Sequence, residues 1–196
     1  MKVSNTMMGS LLTAVLLMAC SLPSFAREKN EVIQAQAFGT GTQMGQNIGV
    51  TVTIYEFSTP ADKQILVEAF QKGQSQALAS ALEKMPAVGR IAITGTLGYD
   101  LSYIRLIKTP TGRTIRFVTN RQIRFGEAWA DSPTQSFNLT MGEFQLNDQD
   151  KKKSTGTLAP AAQLIINKEG ELQIELNQNS WRMAGIIDWA GTPGAN

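Results

Sequence analysis

Hydrophobic and polar residues alternate along residues 47–55 of this 196-residue chain. The apolar positions on one side are Ile48, Val50, Val52 and Ile54, and glycine, threonine and tyrosine occupy the positions between them. A period of two residues that is rich in β-branched side chains is typical of a strand with one buried face. The pattern therefore predicts a half-buried β-strand that begins at residue 47.

A helical pattern replaces the alternation after Thr59. The Thr59 hydroxyl can cap free amide groups, and Pro60 suits the first helical position because it has no N–H to leave unpaired. Asp62 favours the positive end of the helix dipole. Apolar or small residues then recur three and four positions apart, at Ile65, Leu66, Ala69, Phe70, Gly73, Ala77, Leu78, Ala81 and Leu82. Because Pro86 ends this stripe, we predict one long amphipathic helix over about residues 60–85.

The rest of the chain has the pattern of strands separated by turns. The predicted strands cover residues 88–96, 99–108, 113–119, 122–129, 136–146, 162–167 and 171–176. Residues 147–156 are predicted to be a charged surface loop, and residues 180–189 a last strand or a short helix. In the strand 136–146 the apolar positions change phase near Gly142, where we expect a β-bulge.

A run of strands with one segregated helix indicates an α+β fold rather than an α/β fold. We expect one long amphipathic helix packed on a strongly curved, mainly antiparallel sheet of about seven to nine strands, either a half-barrel or a sandwich-like form. Residues 47–190 are predicted to form this single domain. Residues 27–46 are expected to be a flexible lead-in, and residues 191–196 a loose tail.

The first 26 residues have the pattern of a secretory signal peptide. Lys2 supplies a positive start, and the apolar run that follows ends at Cys20. This run is shorter than the roughly 20 apolar residues that span a bilayer. Ser24 and Ala26 are the small residues that signal peptidases accept, so we expect cleavage after Ala26 and a periplasmic or secreted protein. An uncleaved membrane anchor is a further alternative.

A second interpretation of the same segment concerns Cys20. The residues Leu17-Met18-Ala19-Cys20 resemble the lipobox of bacterial lipoproteins, in which the cysteine becomes the lipidated first residue. Met18 departs from that pattern, which favours a small residue at this position. Lipidation at Cys20 would anchor the protein to a membrane, whereas cleavage after Ala26 would release it.

The composition excludes several chemistries. The chain contains no histidine, and Cys20 is its only cysteine. A Ser-His-Asp triad, a Cys-His pair and a histidine base are therefore excluded, and almost every zinc or non-haem iron site with them. We predict no disulfide after signal removal, no metal and no cofactor. The formal net charge of +2 argues against a dedicated nucleic-acid binder.

Two short motifs carry little functional information. Gly39, Gly41 and Gly45 resemble a dinucleotide-binding loop, but they precede a strand instead of opening a helix. Asp148 and Asp150 offer oxygens to calcium, but three lysines follow them and repel a cation. We predict ordinary loops at both places.

Five arginines fall within one predicted strand–turn–strand–strand stretch: Arg105, Arg113, Arg116, Arg121 and Arg124. Arg116 and Arg124 alternate with apolar residues, so both are expected on the polar face of the sheet, side by side on adjacent strands. Arginine binds carboxylate and phosphate bidentately. Arg116 and Arg124 are therefore the candidate ligand-binding residues, for an anionic ligand, lipid headgroups or an acidic partner. The alternative is a solvated face that pairs with Asp100, Glu127 and Asp131.

Carboxylates and aromatic residues supply the other candidates. The acids that sit among apolar residues are Glu56, Asp100, Glu127, Glu143 and Asp188. A glycosidase needs two such groups that face each other across a cleft, and the spacing selects no pair. The aromatic residues Tyr55, Tyr99, Tyr103, Trp129, Trp181 and Trp189 either line a pocket or pack in the core, and packing is the more common role.

These observations favour an exported, non-enzymatic domain that binds a small ligand or an envelope partner on its sheet face. No catalytic residue is assigned. We expect no nucleic-acid partner, and a membrane partner only if Cys20 is lipidated. The alternatives are a carboxylate-pair hydrolase resembling a glycosidase, and a membrane-anchored lipoprotein with a structural role.

Overall fold

The computed structural model describes residues 30–123, 137–166, 168, 170 and 172–189. Cys20, Ala26, Arg124, Glu127 and the tail 191–196 lie outside the described residues, as do Trp129 and Asp131. The described elements are β1 (Glu31–Phe38), β2 (Asn47–Ile54), α1 (Pro60–Lys84), β3 (Gly89–Ile93), β4 (Tyr99–Leu101), β5 (Tyr103–Thr109), β6 (Gly112–Thr119), β7 (Leu139–Asn147), β8 (Thr155–Ile166), β9 (Leu172–Leu176) and β10 (Trp181–Asp188).

The strands form one antiparallel sheet that curls almost into a barrel. Its order is β4-β3-β2-β1-β10-β8-β7-β6-β5, and β9 pairs with the second half of β8. The edge strands β4 and β5 are separated in sequence by Ser102 alone, so the two edges of the sheet lie next to each other. The predicted α+β fold with a strongly curved antiparallel sheet is confirmed.

The concave face of this sheet encloses the main core. Alternate residues of nearly every strand point inward, as the period of two requires. The largest fully buried side chains of this core are Trp181, Phe144, Ile33, Ile91, Leu101, Ile104, Ile115, Ile123, Leu158 and Met183. The side chains on the concave face therefore form most of the core. The convex face is called the outer face below, and it is the face on which α1 packs.

Residues 27–46 do not form the expected flexible lead-in over their described part. Glu31–Phe38 forms β1, which lies in the middle of the sheet between β2 and β10. Ile33, Ala35 and Ala37 point into the core. The sequence pattern does not predict this strand, because its second half alternates polar glutamine with alanine, which is depleted in strands. The glycines at 39, 41 and 45 lie in the β1–β2 connection.

Helix α1 begins as the sequence predicts. The Thr59 Oγ1 atom accepts a hydrogen bond from the Asp62 N–H at 3.2 Å, and Asp62 Oδ2 accepts one from the Thr59 N–H at 2.7 Å. This reciprocal capping box fixes the start of the helix. The last helical residue is Lys84, two residues before Pro86.

The interior of α1 differs from the expected continuous helix. Gly73 (φ −163°, ψ 30°) and Gln74 (φ 48°, ψ −141°) are not helical, so α1 consists of two segments, 60–72 and 75–84. Gln74 occupies a backbone region that is essentially confined to glycine, at a cost of order 1–3 kcal/mol. The break divides the apolar stripe between the two helical segments, so the two parts of the stripe pack differently against the sheet.

The second segment of α1 packs on the outer face. Leu78, Ala79 and Leu82 are buried there against Leu139. Ser75 fixes the position of this segment, because its hydroxyl donates to Asn138 Oδ1 and accepts from the Leu164 N–H, each at 3.3 Å. The first segment buries Leu66 alone and leaves Ile65 and Val67 exposed. A cleft remains beneath it.

The β-bulge expected at Gly142 is wrong. Strands β6 and β7 pair without interruption past this residue, and the irregularity of the β7–β8 pairing lies between Leu139 and Met141. Leu139 and Met141 pack on the outer face with α1, whereas Phe144 packs in the inner core. The apolar positions change phase because β7 is buried on different faces at its two ends.

The start of β8 differs from the prediction, and the structure of residues 181–188 decides between the two predicted alternatives. Strand β8 begins at Thr155 instead of residue 162, so the end of the predicted loop 147–156 already belongs to the sheet. Residues 181–188 form strand β10 and not a short helix.

Candidate ligand-binding cleft

A large cleft lies between the first segment of α1 and the outer face of the sheet. Its volume is about 790 Å³, within the range of about 300–1,000 Å³ that is typical of small-molecule sites. Its apolar lining includes Leu66, Val67, Phe70, Leu78, Phe117, Val118, Met141, Ala159, Leu164, Ile166 and Ile174. Lys63, Arg116 and Glu143 are the charged residues of its lining.

Strand register arranges the floor of the cleft in two parallel rows. Tyr103, Val118, Met141 and Ala159 are successive register partners across β5, β6, β7 and β8, and they form an apolar row. The row two residues further along each strand consists of Arg105, Arg116, Glu143 and Thr157, and it is polar and charged. Residues two apart on a strand share a face, so the apolar row and the charged row lie side by side.

The Arg116–Glu143 ion pair occupies the middle of the charged row. Arg116 Nε donates to Glu143 Oε2 at 2.5 Å, and Gln145 Nε2 donates to Glu143 Oε1 at 2.8 Å. Burial alone would raise the pKa of Glu143. The hydrogen bonds from Gln145 and Arg116, with the charge of Arg116, outweigh that effect and lower the pKa below 4.5. Glu143 is therefore ionised at neutral pH.

Positive charge exceeds negative charge at this edge of the cleft. Arg105 lies directly opposite Arg116 in the β5–β6 register, which places two like charges side by side. Lys63 adds a third cation from α1. Glu143 is the one acid among the described residues that line the cleft. The Arg116 side chain is 59% exposed, and none of the described residues pairs with its Nη atoms.

The structure places one of the two candidate arginines. Arg116 lies on the outer face, as its alternation with apolar residues predicts, and it borders the cleft. Arg124 lies outside the described residues, so its position beside Arg116 stays a prediction. Asp100, a suggested partner of these arginines, instead lies 3.9 Å from Arg90 at the β3–β4 edge.

The candidate carboxylates are dispersed. Glu143 pairs with Arg116, Asp188 pairs with Arg113, and Glu56 is exposed. Among the acids that the structure describes, Glu143 alone borders the cleft. This arrangement gives no support to two carboxyl groups that face each other across an open cleft.

Glu31 joins Arg113 and Asp188 in an ion cluster that the sequence pattern does not predict. Arg113 Nη2 lies 2.9 Å from Glu31 Oε1 and 2.5 Å from Asp188 Oδ2. A well-oriented hydrogen bond to Glu31 runs from Arg113 Nη1 to Oε2 at 3.2 Å. The cluster joins β6, β1 and β10, with side chains only 22%, 10% and 14% exposed for Arg113, Glu31 and Asp188. Arg113 bridges the two acids, so the cluster is a structural clamp between three strands.

Burial affects the titration of this clamp. It raises the pKa of Glu31 above 4.5; the charge of Arg113 opposes the rise, and the charge of Asp188 adds to it. No local sequence signal predicts the cluster, because Arg113 lies 82 residues from Glu31 and 75 residues from Asp188 in the chain.

Of the candidate aromatic residues that the structure describes, two pack in or against the inner core and one lies in the cleft. Trp181 is fully buried in the inner core, and Tyr99 packs against that core. Tyr103 is the one aromatic candidate in the described chain that lies on the cleft floor. Tyr55 and Trp189 are exposed at other places on the surface.

The acidic loop near residue 150 has a structural role. Asp150 caps a short 3-10 turn at Lys151–Lys153, because its Oδ1 atom accepts from the Lys152 N–H at 3.1 Å. Across the ranges that the structure describes, no three histidine, cysteine, aspartate or glutamate side chains are grouped to hold a metal ion. Within the same ranges, no helix has both the length and the apolar character that crossing a bilayer requires.

The fold and the cleft can be compared with what is known of other proteins. Comparison of the chain with protein-family models, with curated proteins and with solved structures gives no significant match. The chemistry of the cleft is therefore the basis for assigning a function.

Proposed function

We propose that this protein is an exported, non-enzymatic domain that binds a small apolar ligand in the cleft beneath the first segment of α1. The observation that carries this proposal is the apolar row Tyr103, Val118, Met141 and Ala159 at the floor of a cleft of about 790 Å³. Export rests on the signal-peptide pattern of residues 1–26, with release after Ala26 or an anchor at Cys20 as the two outcomes.

Exposed apolar side chains around the cleft support a binding role. Val67 on α1, Ile166 on β8 and Ile174 on β9 all line the cleft, and all three are exposed. A contiguous exposed apolar patch in a concave site marks a ligand or interaction surface. A ligand that covers this patch gains about 25 cal/mol for each Å² of apolar surface removed from water.

The lack of histidine and the pairing of the carboxylate in the cleft favour binding over catalysis. The chain has no histidine, and the candidate acids that the structure describes pair with arginines or, for Glu56, are exposed. The concave shape of the cleft favours a small ligand over a flat protein partner.

A charge placed in the cleft is expected to abolish binding of an apolar probe. Val67→Asp puts a carboxylate on a cleft-lining position that is 38% exposed, so the fold tolerates it while the cleft loses its apolar wall. We expect the affinity for 1-N-phenylnaphthylamine to fall about tenfold or more, which corresponds to about 1.4 kcal/mol. Fluorescence titration of the probe measures this change.

The matched control is Ile65→Asp, two residues away on the same helix. Ile65 is 52% exposed and does not line the cleft. We expect its variant to bind the probe within about twofold of wild type, since it adds the same charge outside the cleft. Equal affinities of wild type and Val67→Asp, or equal losses in the two variants, would contradict binding in the cleft.

A further inference from the structure

We infer that the ligand of this cleft is a single-chain amphiphile with an anionic head, such as a fatty carboxylate, whose head pairs with Arg116. The inference rests on the proposed function, since it assumes that the cleft is the binding site. The chemical class of the ligand is then specified, and so is its orientation, with the hydrocarbon chain on the apolar row and the head on the charged row.

The two rows of the cleft floor match the two ends of such a molecule. An apolar row under α1 accepts a hydrocarbon chain, and the charged row beside it accepts the head. Residues two apart on a strand are separated by about 6–7 Å. The chain and the head of one short amphiphile therefore contact both rows at once, with the head at Arg116.

The charge of the second row selects an anion. Arg116 uses Nε for Glu143, and its Nη atoms have no partner along the described stretches of the chain. Arginine offers a planar fork of donors that suits a carboxylate. Lys63 lines the same cleft, and Arg105 is the register neighbour of Arg116, so both add positive charge against the single carboxylate of Glu143 in the described lining. An anionic head would neutralise part of this excess.

Glu143 competes with the ligand for Arg116. Its carboxylate is ionised at neutral pH and already holds Arg116 Nε at 2.5 Å. An incoming carboxylate meets repulsion from Glu143 as well as attraction from Arg116. Removing the charge of Glu143 should therefore tighten the binding of anions and weaken the binding of cations, which a purely apolar cleft would not do.

Three amphiphiles of one chain length test the inference. Dodecanoate, 1-dodecanol and dodecylamine are added at pH 7, below the micelle concentrations of the two ionic compounds and the solubility of dodecanol, to displace 1-N-phenylnaphthylamine from the wild-type protein. We expect dodecanoate to bind about three- to tenfold more tightly than dodecanol. Arg116→Gln should remove this preference and leave dodecanol within about twofold of its wild-type affinity.

Two further variants complete the design. Glu143→Gln should bind dodecanoate about two- to fivefold more tightly and dodecylamine more weakly than wild type. Arg90→Gln is the matched control, because Arg90 is also a strand arginine beside an acid, Asp100, but lies on β3 away from the cleft. Its variant should bind all three amphiphiles as the wild type does.

Different outcomes separate failure of this inference from failure of the proposed function. If dodecanol binds as tightly as dodecanoate and Arg116→Gln changes neither affinity, the inference of an anionic head is wrong. A loss of probe affinity in Val67→Asp would in that case still support binding in the cleft. If Val67→Asp also leaves probe binding unchanged, the proposed function itself fails. Arg116-dependent binding to phosphatidylglycerol vesicles without displacement by dodecanoate would overturn the free amphiphile in favour of a membrane headgroup.

Discussion

Replacing Arg113 by leucine is expected to lower the free energy of unfolding by about 3 kcal/mol at pH 7.5. The substitution leaves Glu31 and Asp188 as neighbouring carboxylates that are 10% and 14% exposed and have lost their shared cation. An uncompensated, mostly buried charge costs far more than the ion pair contributes. The clamp joins β6 to β1 and β10, which are not its neighbours in the sheet, so its loss should weaken the contact between these strands.

The pH dependence identifies the cause of that loss. In the wild type, burial already raises the pKa of Glu31 above 4.5, so ionisation of Glu31 costs stability as the pH rises through the window above 4.5. Without Arg113 the pKa rises further, and the cost at neutral pH grows. The deficit of Arg113→Leu relative to wild type should therefore shrink when the pH falls from 7.5 to 4.5.

Urea unfolding of both proteins at the two pH values measures this deficit. Glu31→Gln is the control: because the net effect of the site disfavours the ionised form of Glu31, a neutral amide there should change the free energy of unfolding by less than about 1 kcal/mol. The clamp would be refuted by a deficit that is the same at pH 7.5 and 4.5, or by a Glu31→Gln loss as large as that of Arg113→Leu.

Gly142→Ala is expected to destabilise the fold by about 2–3 kcal/mol, although alanine normally suits a strand interior better than glycine does. A Cβ atom on residue 142 would lie 2.1 Å from Cζ and 2.5 Å from Cε2 of Phe117. The Phe117 ring cannot move away freely, because it is 3% exposed and packs 5.7 Å from the ring of Phe144. The cost is therefore one of overpacking in a dense core.

A second substitution tests that explanation. Phe117→Leu removes the ring atoms that the new methyl group would meet, so the double variant Gly142→Ala with Phe117→Leu should be less destabilised than the sum of the two single variants. A coupling of about 1 kcal/mol or more in chemical unfolding is expected for two side chains in direct contact. Additive losses would show that Gly142 is required for another reason.

The parts of the fold that the sequence predicts are those with a local cause. The capping box at Thr59 and Asp62 involves residues three apart, and it marks the start of α1. The alternation of β-branched residues in β2 identifies a strand without knowledge of its partners. Arg116 reaches the outer face by the same period of two.

The missed features have causes that are distant in sequence or specific to packing. Strand β1 is a strand because β2 and β10 flank it, and its alanines and glutamines give no strong signal. The break at Gly73 and Gln74 depends on long-range contacts, because Ser75 ties the second segment of α1 to Asn138 and Leu164. Tertiary contacts decide such local conformations.

The candidate site shows the same division. Alternation places Arg116 on a face, but it does not reveal that Glu143, 27 residues later in the chain, holds its Nε atom. The apolar row beside Arg116 follows from the register of four strands, which no single segment encodes. The cleft itself exists because only one segment of α1 docks fully on the sheet.

Methionine-methyl NMR tests the central claim, that an amphiphile binds in the cleft beneath α1. Met141 lines the cleft, Met183 is fully buried in the inner core, and Met44 is exposed on the β1–β2 connection. In protein labelled with [13C-methyl]methionine, added dodecanoate should shift the Met141 signal in a saturable way and leave those of Met183 and Met44 in place. An unchanged Met141 signal at a concentration that displaces the fluorescent probe, or a shift confined to Met183, would contradict the account.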